Sequence, residues 1–334
     1  MLRFVLRRLA LMVPVLVGLT ILLFAWVRAL PGDPARALLG QRATPEGIAR
    51  VNEAYGFNEP VLVQYATYVK ALVTGDFGRS IQSGQPVVEA FVEKFPATLE
   101  LGLTALVLAA IVGVPLGYLA ARNQGRTLDT FVMSGSLLGV VTPVFFLAIL
   151  LKLVFAEWLH WLPTSLRQDA RIDATHITNF YILDGILTQE WDAALDAAVH
   201  LVLPAVALGT IPLAIIVRIT RASVAEVLNE DYVRTAMSKG LRAGTISRRH
   251  ILRNALLPVV TTIGLQAGLL LSGAVLTETV FSFNGIGQYL FDAIGQRDYP
   301  VLQGFILFIA IIYSLINLLV DVTYGIIDPR VQVS

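Results

Sequence analysis

RITRASVAEVLNEDYVRTAMSKGLRAGTISRRHILRNALLP, residues 218–258, is a polar, mostly basic island that follows one stretch without Asp, Glu, Lys or Arg, 197–217, and runs into the start of another, 254–277. Working outward, four more such windows appear at 9–27, 101–121, 130–151 and 299–320. A helix needs about 20 apolar residues to cross a hydrocarbon core roughly 30 Å thick, and each window is of that length. Strands of a membrane barrel would instead alternate over about ten residues. The pattern therefore predicts an all-α membrane protein with six transmembrane helices. Composition agrees: 56% of residues are hydrophobic, 15% are charged and the mean hydropathy is +0.70, against roughly 25% charged in soluble domains. With no cysteine, a disulfide framework and a thiolate metal site are excluded.

Basic residues set the orientation. With the N-terminus in the cytoplasm, fourteen of the 25 Lys and Arg and six of the 24 acidic residues fall inside, a net +8 against −7 outside. Both termini are then cytoplasmic. The overall charge of +1 gives no reason to expect nucleic acid as a partner. The first apolar run follows Arg3, Arg7 and Arg8 and leads into Pro31-Gly32-Asp33-Pro34 rather than a small-residue cleavage pattern, so it reads as a retained span. The outer face carries the segment 31–96, broken at Gly56–Pro60 and at Gly75–Ser80, the segment 157–196, which opens on Trp158 and Trp161, and a shorter loop at 279–298.

No catalytic apparatus emerges. His160, His176, His200 and His250 lack metal-ligand spacing, and no glycine is followed by lysine, so the phosphate-cradling G-x-x-x-x-G-K-[ST] loop is absent. His200 reads as a satisfied histidine of the bundle. The spans carry no mid-membrane carboxylate of the kind ion-coupled carriers use; Glu100, Lys152, Glu278, Asp298 and Asp321 stand at their margins and read as interfacial. An autonomous secondary transporter or channel is thus the weaker class.

Within the island, Ser223-Val-Ala-Glu226 matches a capping box, and one helix is expected from there to Lys239. Gly240-Leu241-Arg242-Ala243-Gly244 supplies the stop and the turn, with Gly240 and Gly244 shaping it. A second short helix follows from Thr245 to Asn254. Two short helices around a tight turn make a knob suited to docking another protein.

At these residues the sequence resembles the coupling motif, the EAA loop, of ABC-importer permeases in their peptide-transport branch. Arg234-Thr235-Ala236 stands at the Glu-Ala-Ala position, Gly240 at the glycine, and Pro258 at a delayed proline. The likeness extends through Leu6–Leu9, Pro31–Pro34, Phe95–Leu101, Gly209–Ala214, Leu276–Ser282 and Arg297–Pro300, and the segment 157–196 makes it most similar to dipeptide permeases. The resemblance implies a type I ABC-importer permease fold with cytoplasmic coupling helices, in the bacterial inner membrane. It divides the chain into an N-terminal span with its long periplasmic segment, 1–95, and a permease core, 96–330, with the coupling loop at 220–254 and a periplasmic insertion at 157–196. It also implies a homologous second permease subunit, two cytoplasmic ATPase subunits that bind ATP and Mg, and an extracytoplasmic peptide-binding protein, with no cofactor on this chain. The implied ATPase-coupling residues are Asp231, Tyr232, Arg234, Thr235, Ala236, Lys239, Gly240, Leu241 and Gly244. Phe281, Ser282, Phe283, Asn284 and Gly285 are expected to face the binding protein. Oligopeptide, glutathione, haem or nickel-chelate cargo remain alternatives to dipeptides.

Overall fold

The computed structural model describes residues 2–29, 39, 43–54 and 59–327; Pro31–Pro34, Arg330 and part of 56–60 lie outside them. The regular elements among the described residues are helices, and the only β-pairing there is an isolated bridge between Arg79 and Pro86. In chain order the helices are α1 (Leu2–Ala29), α2 (Pro45–Ala54), α3 (Val61–Val73), α4 (Val87–Arg122), α5 (Thr127–Val141) and α6 (Val144–Leu151), then α7 (Tyr181–Leu187), α8 (Trp191–Leu228) and α9 (Asp231–Ser238). The composite α10 covers 243–281, and α11 (Ile286–Gln296) and α12 (Tyr299–Ile327) follow. Among the described residues four helices, α1, α4, α8 and α12, are long and apolar enough to cross a membrane, and two bent pairs raise the number to as many as six.

One of those pairs corrects the expected third span. The window 130–151 is not a single helix: α5 and α6, which continues as the π-helical turn Lys152–Trp158, meet at 103°. Pro143 causes the break, because its ring forces Thr142 into an extended conformation (ψ 123°) and removes one backbone donor. By contrast Pro204 and Pro212 sit inside α8 without ending it, as membrane helices permit when neighbours satisfy the freed carbonyls.

The chain forms two compact units. The first takes Met1–Pro96 and Gly285–Leu318; its core gathers Val87, Phe91, Ile286, Val301 and Phe305. There Ser80 donates to the buried Asp298 at 2.5 Å. The second unit takes Ala97–Asn284 and Leu319–Ser334, and its core is built where α4, α8 and α10 pack through Leu101, Ala105, Leu201, Ala205 and Leu270.

Close approach of α4 and α8 depends on glycine. A Cβ on Gly117 would lie 2.6 Å from both the Thr220 side chain and the Val217 carbonyl, and one on Gly113 would lie 3.0 Å from Ile216. Gly113 and Gly117 are four residues apart and so share one helix face, the small-xxx-small arrangement that lets membrane helices touch backbone to backbone. At 38 residues, α8 is about 57 Å long at 1.5 Å per residue. It therefore outruns a hydrocarbon core of roughly 30 Å.

Of the marginal charges, Glu100, Glu278 and Asp298 are buried in protein and Lys152 is half-buried, while the side chain of Asp321 lies outside the described residues. Glu278 is fully buried and accepts a hydrogen bond from Thr98 at 2.6 Å. Glu100 pairs with Arg167 at 2.8 Å, both buried, and also accepts the Ile182 N–H at 3.0 Å. Arg167 in turn lies 3.7 Å over the Tyr181 ring. This group fixes the 157–196 segment onto α4. Asp184, fully buried, ties the same segment together by accepting the Ile177 and Thr178 backbone N–H groups. Glu190 accepts the backbone N–H and the hydroxyl of Thr175, and these bonds hold its carboxyl below the usual carboxylate range. Lys152 donates to the Val280 carbonyl at 3.1 Å. His200 is buried, with Nδ1 against the Asp196 carbonyl at 2.9 Å, as expected of a satisfied histidine.

Replacing Gly117 with leucine should lower stability by about 1–3 kcal/mol or more through overpacking, whereas Gly139→Ala, whose Cβ would meet Thr210 at an ordinary 3.5 Å, should be tolerated. The thermal midpoint of the detergent-purified protein is the measurement; equal midpoints for the two variants would refute the close-crossing account.

Candidate docking site on the 229–252 segment

The structure redraws the predicted knob. Ser223 does not cap a helix: α8 runs unbroken through Ser223-Val-Ala-Glu226 to Leu228, and Ser223 is buried in it. The helix stops instead at Asn229, whose backbone leaves room for a short turn before α9 starts at Asp231. Nor is there a separate second short helix. After a first turn at Ala243–Thr245, the chain passes through the π-helical stretch Ile246–Leu252 and continues directly as Arg253–Phe281. The knob is thus one short helix, α9, held between the end of one long helix and the start of another.

Gly240 performs the expected stop. Its φ is +71°, in the left-handed region that only glycine enters without strain. The Gly240 N–H bonds to the Met237 carbonyl at 2.9 Å and the Leu241 N–H to the Ala236 carbonyl at 3.4 Å, the paired arrangement of a Schellman closure. Gly244 plays no such part: it lies in the helical turn Ala243–Thr245, with open space where a Cβ would be.

Apolar residues three apart anchor α9. Val233 and Ala236, both buried, pack with Ala121, Val224, Ile246, Ile251 and Ala255; the i, i+3 spacing puts them on one face. Tyr118 and Ser247 hydroxyls meet at 2.6 Å, and Asn254 donates to the Tyr232 hydroxyl at 3.0 Å. Beside this base Arg221 grips the buried Asp129 with two bonds, Nε at 2.5 Å and Nη2 at 2.7 Å, while Asp129 also accepts the Gly125 N–H. That bridge ties the start of α5 to α8 about two turns before α8 ends at Leu228.

The opposite face of α9 is open. Asp231, Tyr232, Arg234, Thr235, Lys239, Gly240, Leu241 and Gly244 are exposed, and the Asp231–Arg234 contact at 3.6 Å is fully solvated. Of the nine residues predicted for coupling, only Ala236 turns inward. Its part is to seat the helix. Met237, exposed at 52%, joins the open face and was missed because it is apolar in a polar stretch.

The second predicted site does not assemble. Phe281 and Phe283 are fully buried, the former packed with Ala148, Ala156, Leu203 and Ala207 and the latter with Leu101, Leu201 and Leu270. The Phe281 carbonyl also accepts the Leu166 N–H at 2.8 Å. Gly285 is buried and Ser282, with φ +49°, turns the chain, leaving Asn284 as the outward residue of the five. The expectation that this loop reaches outward fails for its aromatic residues because burial of their large apolar area decides their place.

The fold gives four to six candidate membrane spans and leaves one face of α9 exposed between two long helices. Comparison with known proteins identifies the family. Residues 113–333 match the family model of the binding-protein-dependent transport system inner membrane component, and residues 1–102 match its N-terminal companion. The chain belongs to this family of transport permeases. It is 46% identical to the dipeptide transport system permease protein DppB of Alkalihalophilus pseudofirmus, over 99% of this chain and 100% of the relative. It is 45% identical to the DppB of Escherichia coli K12, over 99% of each, and 37% identical to the glutathione transport system permease protein GsiC of Salmonella paratyphi A, over 99% of each. Among solved structures, the MetNI methionine ABC transporter in inward-facing conformations matches with a TM-score of 0.54 at 15% identity, over 72% of this chain and 97% of that chain; this likeness concerns the fold.

Val233→Asp would bury an unpaired carboxylate under α9 at a cost of several kcal/mol. It should therefore speed tryptic cleavage at Arg234, Lys239 and Arg242, while the exposed Thr235→Asp leaves the cleavage rate unchanged. Equal rates for the two variants would show that α9 is not seated by Val233.

Proposed function

We propose that the chain is the membrane permease subunit of an ATP-driven importer of small peptides, dipeptides foremost, in the bacterial inner membrane. The observation that carries the reading is the exposed face of α9 on a clamped base, in a chain without a phosphate-binding loop. Full-length likeness to relatives named as dipeptide permeases supports the cargo. In this reading the chain pairs with a homologous permease and forms half of the translocation path. Two cytoplasmic ATPases bind ATP and Mg, and an extracytoplasmic binding protein delivers the peptide.

The surplus of positive charge inside supports cytoplasmic termini and a cytoplasmic α9. Closure of the ATPase pair then pushes on Tyr232, Arg234, Lys239 and Leu241. Val233 and Ala236 pass the load to α8 and α10, and the rigid helices move between two arrangements whose balance nucleotide shifts. The chain itself performs no chemistry. On the outer side, the 157–196 segment and Asn284 offer the surface to the binding protein.

Gly240 gives the test. Valine at φ +71° is strained by about 1–2 kcal/mol, so Gly240→Val should disturb the closure that aims Leu241. Asparagine tolerates that conformation. In proteoliposomes holding the whole importer, Gly240→Val should keep hydrolysing ATP while dipeptide uptake falls several-fold, and Gly240→Asn should stay near wild type. Normal uptake by Gly240→Val would contradict the coupling role.

A further inference from the structure

The first unit contains a cavity of about 430 Å³ that the transport scheme leaves unused; ligand sites commonly run from about 300 to 1,000 Å³. The last turn of α1, one face of α3, the turn at 76–78 and the first turns of α12 enclose it. Its chemistry is amphipathic. Tyr68, on its wall, has a buried hydroxyl with no hydrogen-bond partner among the described residues. Burial, and then neighbouring Tyr65, push that phenol up to about 12, so it stays protonated and offers a donor. A buried hydroxyl left unpaired costs about 1–3 kcal/mol, which an acceptor in the cavity would recover. Arg28, bonded to Gln64 and lying 3.4 Å over the Phe24 ring, brings a positive charge. Asp76, whose carboxylate accepts the Gly78 N–H at 3.0 Å, brings a negative one. Val27, Leu72 and Phe77 complete an apolar wall.

Position names the medium from which a ligand would come. Arg28 is the first charged residue after the uncharged run 9–27, so the cavity sits where the first span meets water. Trp26 packs edge-on against Tyr299, and Tyr65 against Phe24, the aromatic company typical of that boundary. Helix α3, with 13 residues, is about 20 Å long and too short to span. Its Val61, Leu62, Val63 and Val73 are nonetheless exposed, as on a helix lying in the membrane interface. A second groove of about 570 Å³, lined by Val17, Ala66, Val69 and Val73 together with Lys70, follows the same helix pair and offers a mostly hydrocarbon surface.

We propose that this cavity binds a zwitterionic phospholipid of the phosphoethanolamine class. Its phosphate accepts from the Tyr68 hydroxyl beside Arg28, its ammonium faces Asp76, and an acyl chain leaves along α3. One charge of each sign on the cavity wall favours a head group that carries both over a purely anionic one.

The test uses the intact importer complex extracted in mild detergent, with bound lipid counted by native mass spectrometry after exchange against phosphatidylethanolamine, phosphatidylglycerol or free O-phosphoethanolamine. Wild type should retain phosphatidylethanolamine over phosphatidylglycerol. Tyr68→Phe, which keeps the ring and removes the donor, should reduce retention several-fold, and Leu72→Trp, which fills the cavity, should remove it. Equal retention in all three proteins, preference for phosphatidylglycerol, binding of the free head group alone, or no retained lipid would each overturn the proposal.

Discussion

The contact between α4 and α8 at Gly113 and Gly117 is the constraint on which the second unit rests. With hydrogen atoms in place of side chains, the two backbones approach until Thr220, Val217 and Ile216 touch the α4 main chain. Lipid offers helices little hydrophobic reason to associate, so shape fit and van der Waals contact must supply it. Because α8 is clamped there, its continuation to Leu228 is stiff, and everything mounted on that continuation inherits the stiffness.

What is mounted is α9. Its seat is made from three directions: Val224 from α8, Ala121 from the end of α4, and Ile246, Ile251 and Ala255 from the start of α10. The Asp129–Arg221 bridge adds α5. A displacement of α9 is therefore shared among four long elements rather than absorbed in a loop. Two buried carboxylates at other points add polar contacts, Glu100 with Arg167 tying α4 to the 157–196 segment and Glu278 with Thr98 tying α10 to α4, and sliding either contact would lose its hydrogen bonds. Such a body favours discrete rearrangements over gradual deformation.

The sequence disclosed these features unevenly, and the reasons are physical. Apolar length is a local property, so the windows at 9–27, 101–121, 197–217 and 299–320 could be read directly. Gly240 was equally legible, since a left-handed stop calls for glycine. The bend at Pro143 was not legible as 103°, because a charge-free window looks the same whether straight or broken. Ser223-Val-Ala-Glu226 misled because a capping box and a helix interior with a buried serine share one pattern. The partners of the buried carboxylates lie 67, 180 and 218 residues away, a separation that only folding closes. Gly113 and Gly117 carried a visible small-xxx-small signal that could have located the crossing.

The most direct measurement is site-specific photo-crosslinking in the assembled importer, with the probe placed at Arg234 on α9 and, for comparison, at Asn284. An adduct between position 234 and an ATPase subunit, absent for position 284, is the result this account predicts. Crosslinking of position 234 to the binding protein, or to no ATPase subunit at all, would contradict it.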